Sequence, residues 1–166
     1  MTKIAFKGNP VNISGNLPSK GSRAPEFSLV KSDLSSLSLS ELKGKKLILN
    51  IFPSLDTSVC ATSVRIFNQL AAGKENVKVL AISKDLPFAH GRFCTTEGIT
   101  NVITLSGFRD EKFGKKYGVL MKDGPLAGLY ARSIVVIDEA GKVVYTQLVP
   151  DITQEPDYDN AMKAIS

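Results

Sequence analysis

The most reactive side chains in this 166-residue sequence are its two cysteines, Cys60 and Cys94. Cys60 ends the pattern Pro53-x-x-x-Thr57-x-x-Cys60. If a helix begins near Thr57, the free N–H groups of its first turn stabilise a Cys60 thiolate, which is the nucleophilic form of cysteine. The Thr57 hydroxyl would then lie one turn before the sulfur, and the stiff ring of Pro53 would shape the pocket. The pattern indicates a nucleophilic thiol, although a cysteine at this position can also serve only as a small buried side chain.

The segments on either side of this pattern would position it. Residues 46–52, Lys-Leu-Ile-Leu-Asn-Ile-Phe, form a nearly continuous apolar run that stops at Pro53, as expected for a central buried strand. From Asp56 or Thr57, either of which can cap a helix, apolar residues recur at helical spacing as far as Gly73. Cys60 therefore falls in the first turn of a helix that follows the carboxyl end of a buried strand, where open α/β sheets bind ligands.

The rest of the chain alternates between strand and helix patterns. Strands are predicted at 3–8, 11–14, 27–30, 77–83, 102–105, 133–137 and 142–149, with turns at 8–10 and 138–141. Helices are predicted at 86–97, at 110–117 and after Pro156. This order predicts an α/β fold with a mixed central sheet, helices on both faces and an N-terminal β-hairpin, and a thioredoxin-like layout fits it.

Composition limits the class of protein. A chain with 43% hydrophobic residues can bury its own core, so one domain over 1–166, with the hairpin as an extension at 1–20, is expected. The sequence has neither a secretory signal nor a run of about 18 apolar residues, which predicts a soluble, cytoplasmic protein without a membrane span. The formal charge is +5, but the basic residues are scattered, which argues against nucleic-acid binding.

Arg132 is the second candidate for the chemistry of Cys60. It directly precedes the apolar strand predicted at 133–137, so its side chain could project from the strand end toward the same site. A guanidinium there would stabilise the thiolate and donate hydrogen bonds to a reacting oxygen. The alternative is an ordinary surface arginine at the edge of a strand.

Several segments together resemble the bacterial thiol peroxidases, which are atypical two-cysteine peroxiredoxins. The similarity covers essentially the whole chain, including the N-terminal hairpin that this family adds to the thioredoxin-like fold. Its most specific part is Asn50-Ile-Phe-Pro-Ser-Leu-Asp-Thr-Ser-Val-Cys-Ala-Thr-Ser-Val-Arg65. The other matching segments are 85–94, 101–105, 123–132 and 155–158.

The resemblance implies a role for each candidate residue. Cys60 would be the peroxidatic cysteine, Thr57 and Pro53 its pocket, Arg132 its cationic partner and Cys94 the resolving cysteine. It further implies a peroxidase that reduces hydrogen peroxide and organic hydroperoxides, is recycled by thioredoxin and forms a homodimer. No cofactor and no metal ion are expected. The segment 123–129 would be a loop beside the pocket, a subunit contact or an ordinary connection.

The implied disulfide between Cys60 and Cys94 requires the two residues to approach each other closely. The two cysteines lie on separate predicted helices, whereas a disulfide requires Cα atoms within roughly 4.4 to 6.8 Å of each other. We do not expect both helices to meet this limit intact. We therefore expect local unfolding of the first turn that carries Cys60 and of the helix at 88–97 during the cycle.

Three other functions use the same residues. A dithiol oxidoreductase would need Cys-x-x-Cys, but Cys60 is followed by Ala-Thr-Ser. A metal site could use His90 and Cys94, which stand four residues apart on a predicted helix, with Cys60 as a third ligand, although a lone histidine is more often solvated and the resemblance gives His90 no role. A peroxide sensor would use the cysteine chemistry of the peroxidase, and the sequence does not separate these two functions.

Overall fold

The computed structural model describes residues 2–165, in which strands and helices alternate through the middle of the chain. The strands are β1 (Lys3–Phe6), β2 (Asn9–Asn12), β3 (Ser28–Lys31), β4 (Ser36–Ser38), β5 (Lys46–Ile51), β6 (Val77–Ser83), β7 (Val102–Ser106), β8 (Ser133–Ile137) and β9 (Val143–Leu148). The helices are α1 (Ser58–Ala71), α2 (Pro87–Glu97), α3 (Phe113–Lys116) and α4 (Tyr158–Ala164), together with a 3₁₀ helix at Leu39–Leu42.

The main sheet has seven strands in the order β4-β3-β7-β6-β5-β8-β9. Its central strand β5 is parallel to β6 and antiparallel to β8. In the β5–β8 register Ile51 lies opposite Ser133. The segment that follows β5 and the residue that precedes β8 therefore lie at the same end of the sheet, which brings the two halves of the site together.

Apolar side chains fill both faces of this sheet. Along β5 they alternate, so that Leu47, Leu49 and Ile51 pack on one face and Ile48 on the other. The first face is covered around α3, where Phe113 and Tyr117 stack. The second face is covered by α1 and α4, with the partly buried Phe93 and Cys94 of α2 at its margin. The predicted mixed sheet with helices on both faces is confirmed.

The N-terminal hairpin is present but turns one residue earlier than the sequence pattern predicts. Lys7 and Gly8 form the turn with φ angles of 51° and 83°, the left-handed pair of the tightest hairpins. Pro10 consequently lies inside β2, opposite Ala5, and is tolerated because this strand has a free edge. The hairpin packs on the segment that follows β9, where Ile152 N–H donates to the Ala5 carbonyl at 2.9 Å.

Two other predictions need correction. The sequence pattern did not indicate β4 or the 3₁₀ helix, because short polar serine-rich segments carry little periodicity. The helix predicted at 110–117 is shorter, because the Asp110 carboxylate accepts the N–H groups of Lys112 and Phe113 and forms a turn before α3. The stop at Gly118 is confirmed, since it has a φ of 66° and a side chain there would collide with the Asn16 backbone. None of the helices within residues 2–165 is long and apolar enough to cross a membrane.

Candidate active site

Cys60 lies in the first turn of α1, after the N-cap residue Thr57, and its side chain is fully buried. Its position follows from the amphipathic pattern of the helix, in which Cys60, Val64, Phe67 and Ala71 form one buried stripe against the sheet. The stripe fixes the rotation of α1 and points the sulfur inward. The N–H groups of the first turn, which have no partner within the helix, favour a negative charge at this place.

Arg132 contacts the sulfur directly, with 3.2 Å between its Nη1 and Cys60 Sγ. Its side chain is 1% exposed and is among the largest fully buried side chains of the described residues. Nε and Nη2 both donate to the carbonyl of Ile152, at 3.1 and 2.7 Å. A buried guanidinium is costly unless it is paired, and the sulfur is the group in position to supply the opposite charge. The interpretation of Arg132 as a surface arginine is therefore wrong.

Pro53 and Thr57 lie in the segment that joins β5 to α1, where the sequence pattern placed them. Pro53 is buried at the end of the strand. The Thr57 residue is exposed, and its hydroxyl donates to the Ser54 carbonyl at 2.9 Å. The Thr57 proton therefore points to the loop backbone in this structure, and only the lone pairs of the hydroxyl are left to interact with a ligand.

A buried polar pair lies beneath α1. Asn50 on β5 donates from Nδ2 to Ser63 Oγ at 3.1 Å, and Ser63 Oγ donates to the Cys60 carbonyl at 2.7 Å. A serine that bonds back to a carbonyl one turn earlier competes with the regular helix ladder. The turn that carries Cys60 is thus held partly by side chains.

Cys94 lies on α2 and is half-buried, and both cysteines are free thiols. Burial raises the pKa of the Cys94 thiol, and a hydrogen bond with Thr104 acts in the opposite direction. Cys94 packs against the same apolar cluster that contains Cys60. The two thiols thus share one cluster while each stands in a regular helix.

Asp85 is a part of this region that the analysis of sequence patterns missed. Its carboxylate accepts hydrogen bonds from Ser54 Oγ at 2.7 Å, from the Leu55 N–H at 2.8 Å and from Ser83 Oγ at 2.6 Å. The first two donors belong to the segment that leads into α1. A usable signal was present, because Asp85 follows β6 just as that segment follows the parallel neighbour β5, so both lie at one edge of the sheet.

His90 is fully buried, so the expectation that a lone histidine is solvated is wrong here. Its Nε2 lies 2.8 Å from Ser83 Oγ. Burial lowers the pKa of His90 to about 4, and nearby Asp85 opposes this shift. Within residues 2–165 no three His, Cys, Asp or Glu side chains are grouped to hold a metal ion, and His90 directs its Nε2 to a serine.

Tyr158 of α4 completes the surroundings of the buried sulfur. Its ring meets Phe67 edge-on at 5.2 Å, and its hydroxyl donates to Glu155 at 2.9 Å. Burial raises the pKa of the Tyr158 phenol, and the hydrogen bond to Glu155 acts in the same direction. Cys60 and Arg132 are thus buried beside a largely apolar cluster, an arrangement suited to nucleophilic attack by a thiolate.

Comparison with known proteins gives the same kind of chemistry. A family model described as Redoxin matches residues 19–162. The chain is 55% identical over 166 residues to a thiol peroxidase of Corynebacterium glutamicum, covering 100% of each protein. It is 53% identical over 165 residues to a thiol peroxidase of Mycobacterium bovis, covering 99% of each.

Solved structures agree with the observed fold. A peroxiredoxin-like protein from Aquifex aeolicus superposes with a TM-score of 0.93 at 44% identity, covering 98% of this chain and 95% of that one. A thiol peroxidase from Chromobacterium violaceum superposes with a TM-score of 0.89 at 24% identity, covering 97% of this chain and 93% of that one. At that lower identity the second likeness supports the fold alone.

Proposed function

This chain belongs to the Redoxin family and, within it, to the thiol peroxidases, and on that premise we propose that Cys60 attacks the peroxide and Cys94 resolves the product. The enzyme is a peroxidase, an oxidoreductase that acts through thiol chemistry. Our proposals concern the residues that carry out the reaction, the disulfide between them, the peroxides that are reduced and the reductant.

The contact between Arg132 and Cys60 is the observation that carries the proposal. The 3.2 Å distance from Nη1 to Sγ joins two side chains that are both essentially excluded from water. A fixed positive charge in such an environment stabilises a thiolate and the charge that develops on a departing oxygen. The Ile152 carbonyl accepts two hydrogen bonds from the guanidinium and orients it beside the sulfur before the reaction begins.

The proposed first step consumes the peroxide. The Cys60 thiolate attacks the terminal oxygen of hydrogen peroxide or an organic hydroperoxide, so that an S–O bond forms and the O–O bond breaks. The departing oxygen takes up a proton and leaves as water or an alcohol, and Cys60 becomes a sulfenic acid. We assign the lone pairs of the Thr57 hydroxyl and the buried Pro53 ring to the binding of the peroxide.

The second step forms the disulfide. Cys94 attacks the sulfenic sulfur, an S–S bond forms, the S–O bond breaks, and hydroxide leaves as water with the proton of the Cys94 thiol. Burial raises the pKa of the Cys94 thiol in the closed structure, which disfavours the attacking thiolate. We therefore retain the prediction that α2 and the first turn of α1 unfold locally, exposing Cys94 and bringing it to Cys60.

The cycle closes when a dithiol protein reduces the disulfide by thiol exchange. Thioredoxin is the reductant we propose, on the strength of the family resemblance. The same resemblance is the basis for proposing a homodimer. Sedimentation of reduced and oxidised protein checks the dimer.

The test compares wild type, Cys60→Ser and Cys94→Ser in peroxide consumption with a thioredoxin-based reducing system. Cys60→Ser should be inactive, whereas Cys94→Ser should oxidise once, gain one oxygen in mass and fail to turn over. Thr95→Ser, an exposed neighbour on α2, is the matched control and should behave as wild type. The chain has two cysteines, so Cys60→Ser keeps Cys94 as its single thiol. Full activity of this variant would show that peroxide reduction does not require Cys60 and would refute the proposed nucleophile.

A further inference from the structure

The Asp85 carboxylate lies between the two cysteine-bearing segments, and its side chain is 10% exposed. On one side it holds the segment before α1, through Ser54 Oγ at 2.7 Å and the Leu55 N–H at 2.8 Å. On the other side Ser83 Oγ reaches the same carboxylate at 2.6 Å. The contacts to Leu55 and Ser83 share one oxygen, Oδ2.

Ser83 passes the connection on to α2. A hydroxyl has one proton, and Ser83 gives it to Asp85, so its oxygen must accept the hydrogen bond from His90 Nε2 at 2.8 Å. His90 therefore carries its proton on Nε2, and its buried Nδ1 has no hydrogen-bond partner among residues 2–165. A hydrogen-bond chain thus runs from α2 through Ser83 and Asp85 to the segment that leads into Cys60.

We propose that Asp85 is a positioning residue that holds both cysteine-bearing segments in the peroxide-reducing arrangement, and that release of its hydrogen bonds admits Cys94 to Cys60. The inference rests on the proposed function, because it concerns the step in which the Cys60–Cys94 disulfide forms. Asp85 touches neither sulfur in any hydrogen bond of the described residues, so it acts through Leu55, Ser54 and His90.

Helix α2 depends on this connection because few of its own side chains are buried. The two buried residues of α2 are Pro87 and His90, so the link from His90 to Ser83 is a large part of what fixes its first turn. The buried His90 Nδ1 has no hydrogen bond in the closed state, which costs stability. When the helix opens, water forms a hydrogen bond with this nitrogen and the cost disappears. The chain therefore favours the closed arrangement while leaving α2 easy to open.

Asp85→Asn tests the proposal, because it keeps the shape but replaces one acceptor oxygen with an NH₂ group that faces N–H or O–H donors. Oxidation of Cys60, followed in the Cys94→Ser background, should slow by about tenfold as the segment before α1 shifts. Disulfide formation, followed with Cys94 present, should instead accelerate several-fold. Asp56→Asn, which removes an exposed charge one residue after Leu55, is the matched control and should change neither rate.

Opposite changes in the two rates support the proposal, because the Asp85 carboxylate is bonded to the segment before α1 and, through Ser83, to α2. Unchanged rates, or a parallel fall in both, would overturn it. If Asp85→Asn does not fold, Ser83→Ala decides the question, since it cuts the link to α2 and leaves the Ser54 and Leu55 bonds. Faster disulfide formation with unaltered Cys60 oxidation is then expected, and an unaltered disulfide rate would refute the coupling.

Hydrogen exchange of the reduced protein separates this inference from the proposed function. Without any peroxide, Asp85→Asn should lower the protection of amides in 54–60 and in 87–97 together, and Asp56→Asn should not. Protection lost in only one of these segments would show that Asp85 does not couple them. Sustained turnover by Cys94→Ser would refute the proposed disulfide, while the exchange result would still decide whether the segments are coupled.

Discussion

Helices α1 and α2 each carry one cysteine, but the protein holds them very differently. Helix α1 places six residues in the core, Cys60, Ala61, Ser63, Val64, Phe67 and Ala71. Helix α2 buries Pro87 and His90 and leaves Phe88 67% exposed at its start. Helix α1 is therefore anchored to the core by buried side chains along most of its length, whereas α2 is lightly held, with two buried side chains near its start.

This difference matches the separate tasks proposed for the two thiols. A thiol that must meet a peroxide in the correct geometry needs a rigid, water-free pocket, because misplacement by an ångström costs much of the rate. A thiol that must travel to its partner needs a segment that opens at little cost in free energy. The comparison predicts that perturbations near α1 act on global stability and on the first chemical step, while perturbations near α2 act on opening.

The largest expected difference is in core truncation. Phe67 of α1 is fully buried against Tyr158, so Phe67→Ala should lower the free energy of unfolding by about 3 to 5 kcal/mol. Phe93 of α2 is only half-buried, and Phe93→Ala, the matched control, should cost roughly 1 kcal/mol. Urea unfolding of both variants measures this, and equal losses would show that α2 is anchored as firmly as α1.

Arg132 provides the next largest effect, now on chemistry. Arg132→Lys keeps the positive charge but loses the planar fork that bonds Ile152 and Cys60 together. We expect kcat/KM for peroxide to fall by about 10²-fold or more, with most of the loss in the oxidation of Cys60.

The control for this substitution is Arg92→Lys on α2, where the arginine is exposed. It should leave peroxide consumption unchanged. Stopped-flow oxidation of each variant provides the comparison, and an Arg132→Lys enzyme within twofold of wild type would exclude a direct part for the guanidinium.

The placement of Arg132 shows how far sequence patterns reach. The apolar runs that become β5 and β8 are long and regular, so the strands and the residues at their ends were predictable. The strand order was not, because periodicity contains no information on which strands pair. The antiparallel β5–β8 register, with Ile51 opposite Ser133, is what brings Arg132 to Cys60.

The polar network around Asp85 shows where such prediction fails. A lone histidine is more often solvated, which led to the wrong expectation for His90, and the residue is fully buried. Its burial depends on Ser83 and Asp85, which come from the end of another element. A hydrogen-bond network assembled from three separate segments has no sequence period, and only the ends of adjacent parallel strands hint at it.

The pH dependence of the opening of α2 is the third test of the comparison between α1 and α2. The pKa of His90 is lowered from 6.5 to about 4 in the folded protein. Between these values the opened or unfolded chain binds a proton that the closed helix does not, so the stability of the closed state is full above pH 6.5 and falls toward pH 4. Linkage gives a loss of roughly 2 kcal/mol between pH 7 and pH 5.

Because His90 is the single histidine of the chain, its imidazole titration by NMR identifies the group directly. Local opening, measured as hydrogen exchange in 87–97 after correction for the intrinsic pH effect, should rise as the pH falls from 7 to 5. In His90→Gln this rise should disappear. A His90 that titrates near 6.5 in the folded protein would contradict the prediction.

The smallest effect is expected at the ion pair that joins the two helices, Arg65 of α1 and Glu97 of α2. The two side chains are 45% and 29% exposed, so solvent screens the pair and its coupling should stay below about 1 kcal/mol. A double-mutant cycle of Arg65→Gln and Glu97→Gln measures this coupling by urea unfolding, and the contact of Arg65 with the Phe93 ring cancels within the cycle. The pair should instead influence local exchange at the end of α2. A global coupling of about 2 kcal/mol or more would mean that this surface contact fastens α2 to α1, and the contrast between an anchored and a lightly held helix would then be wrong.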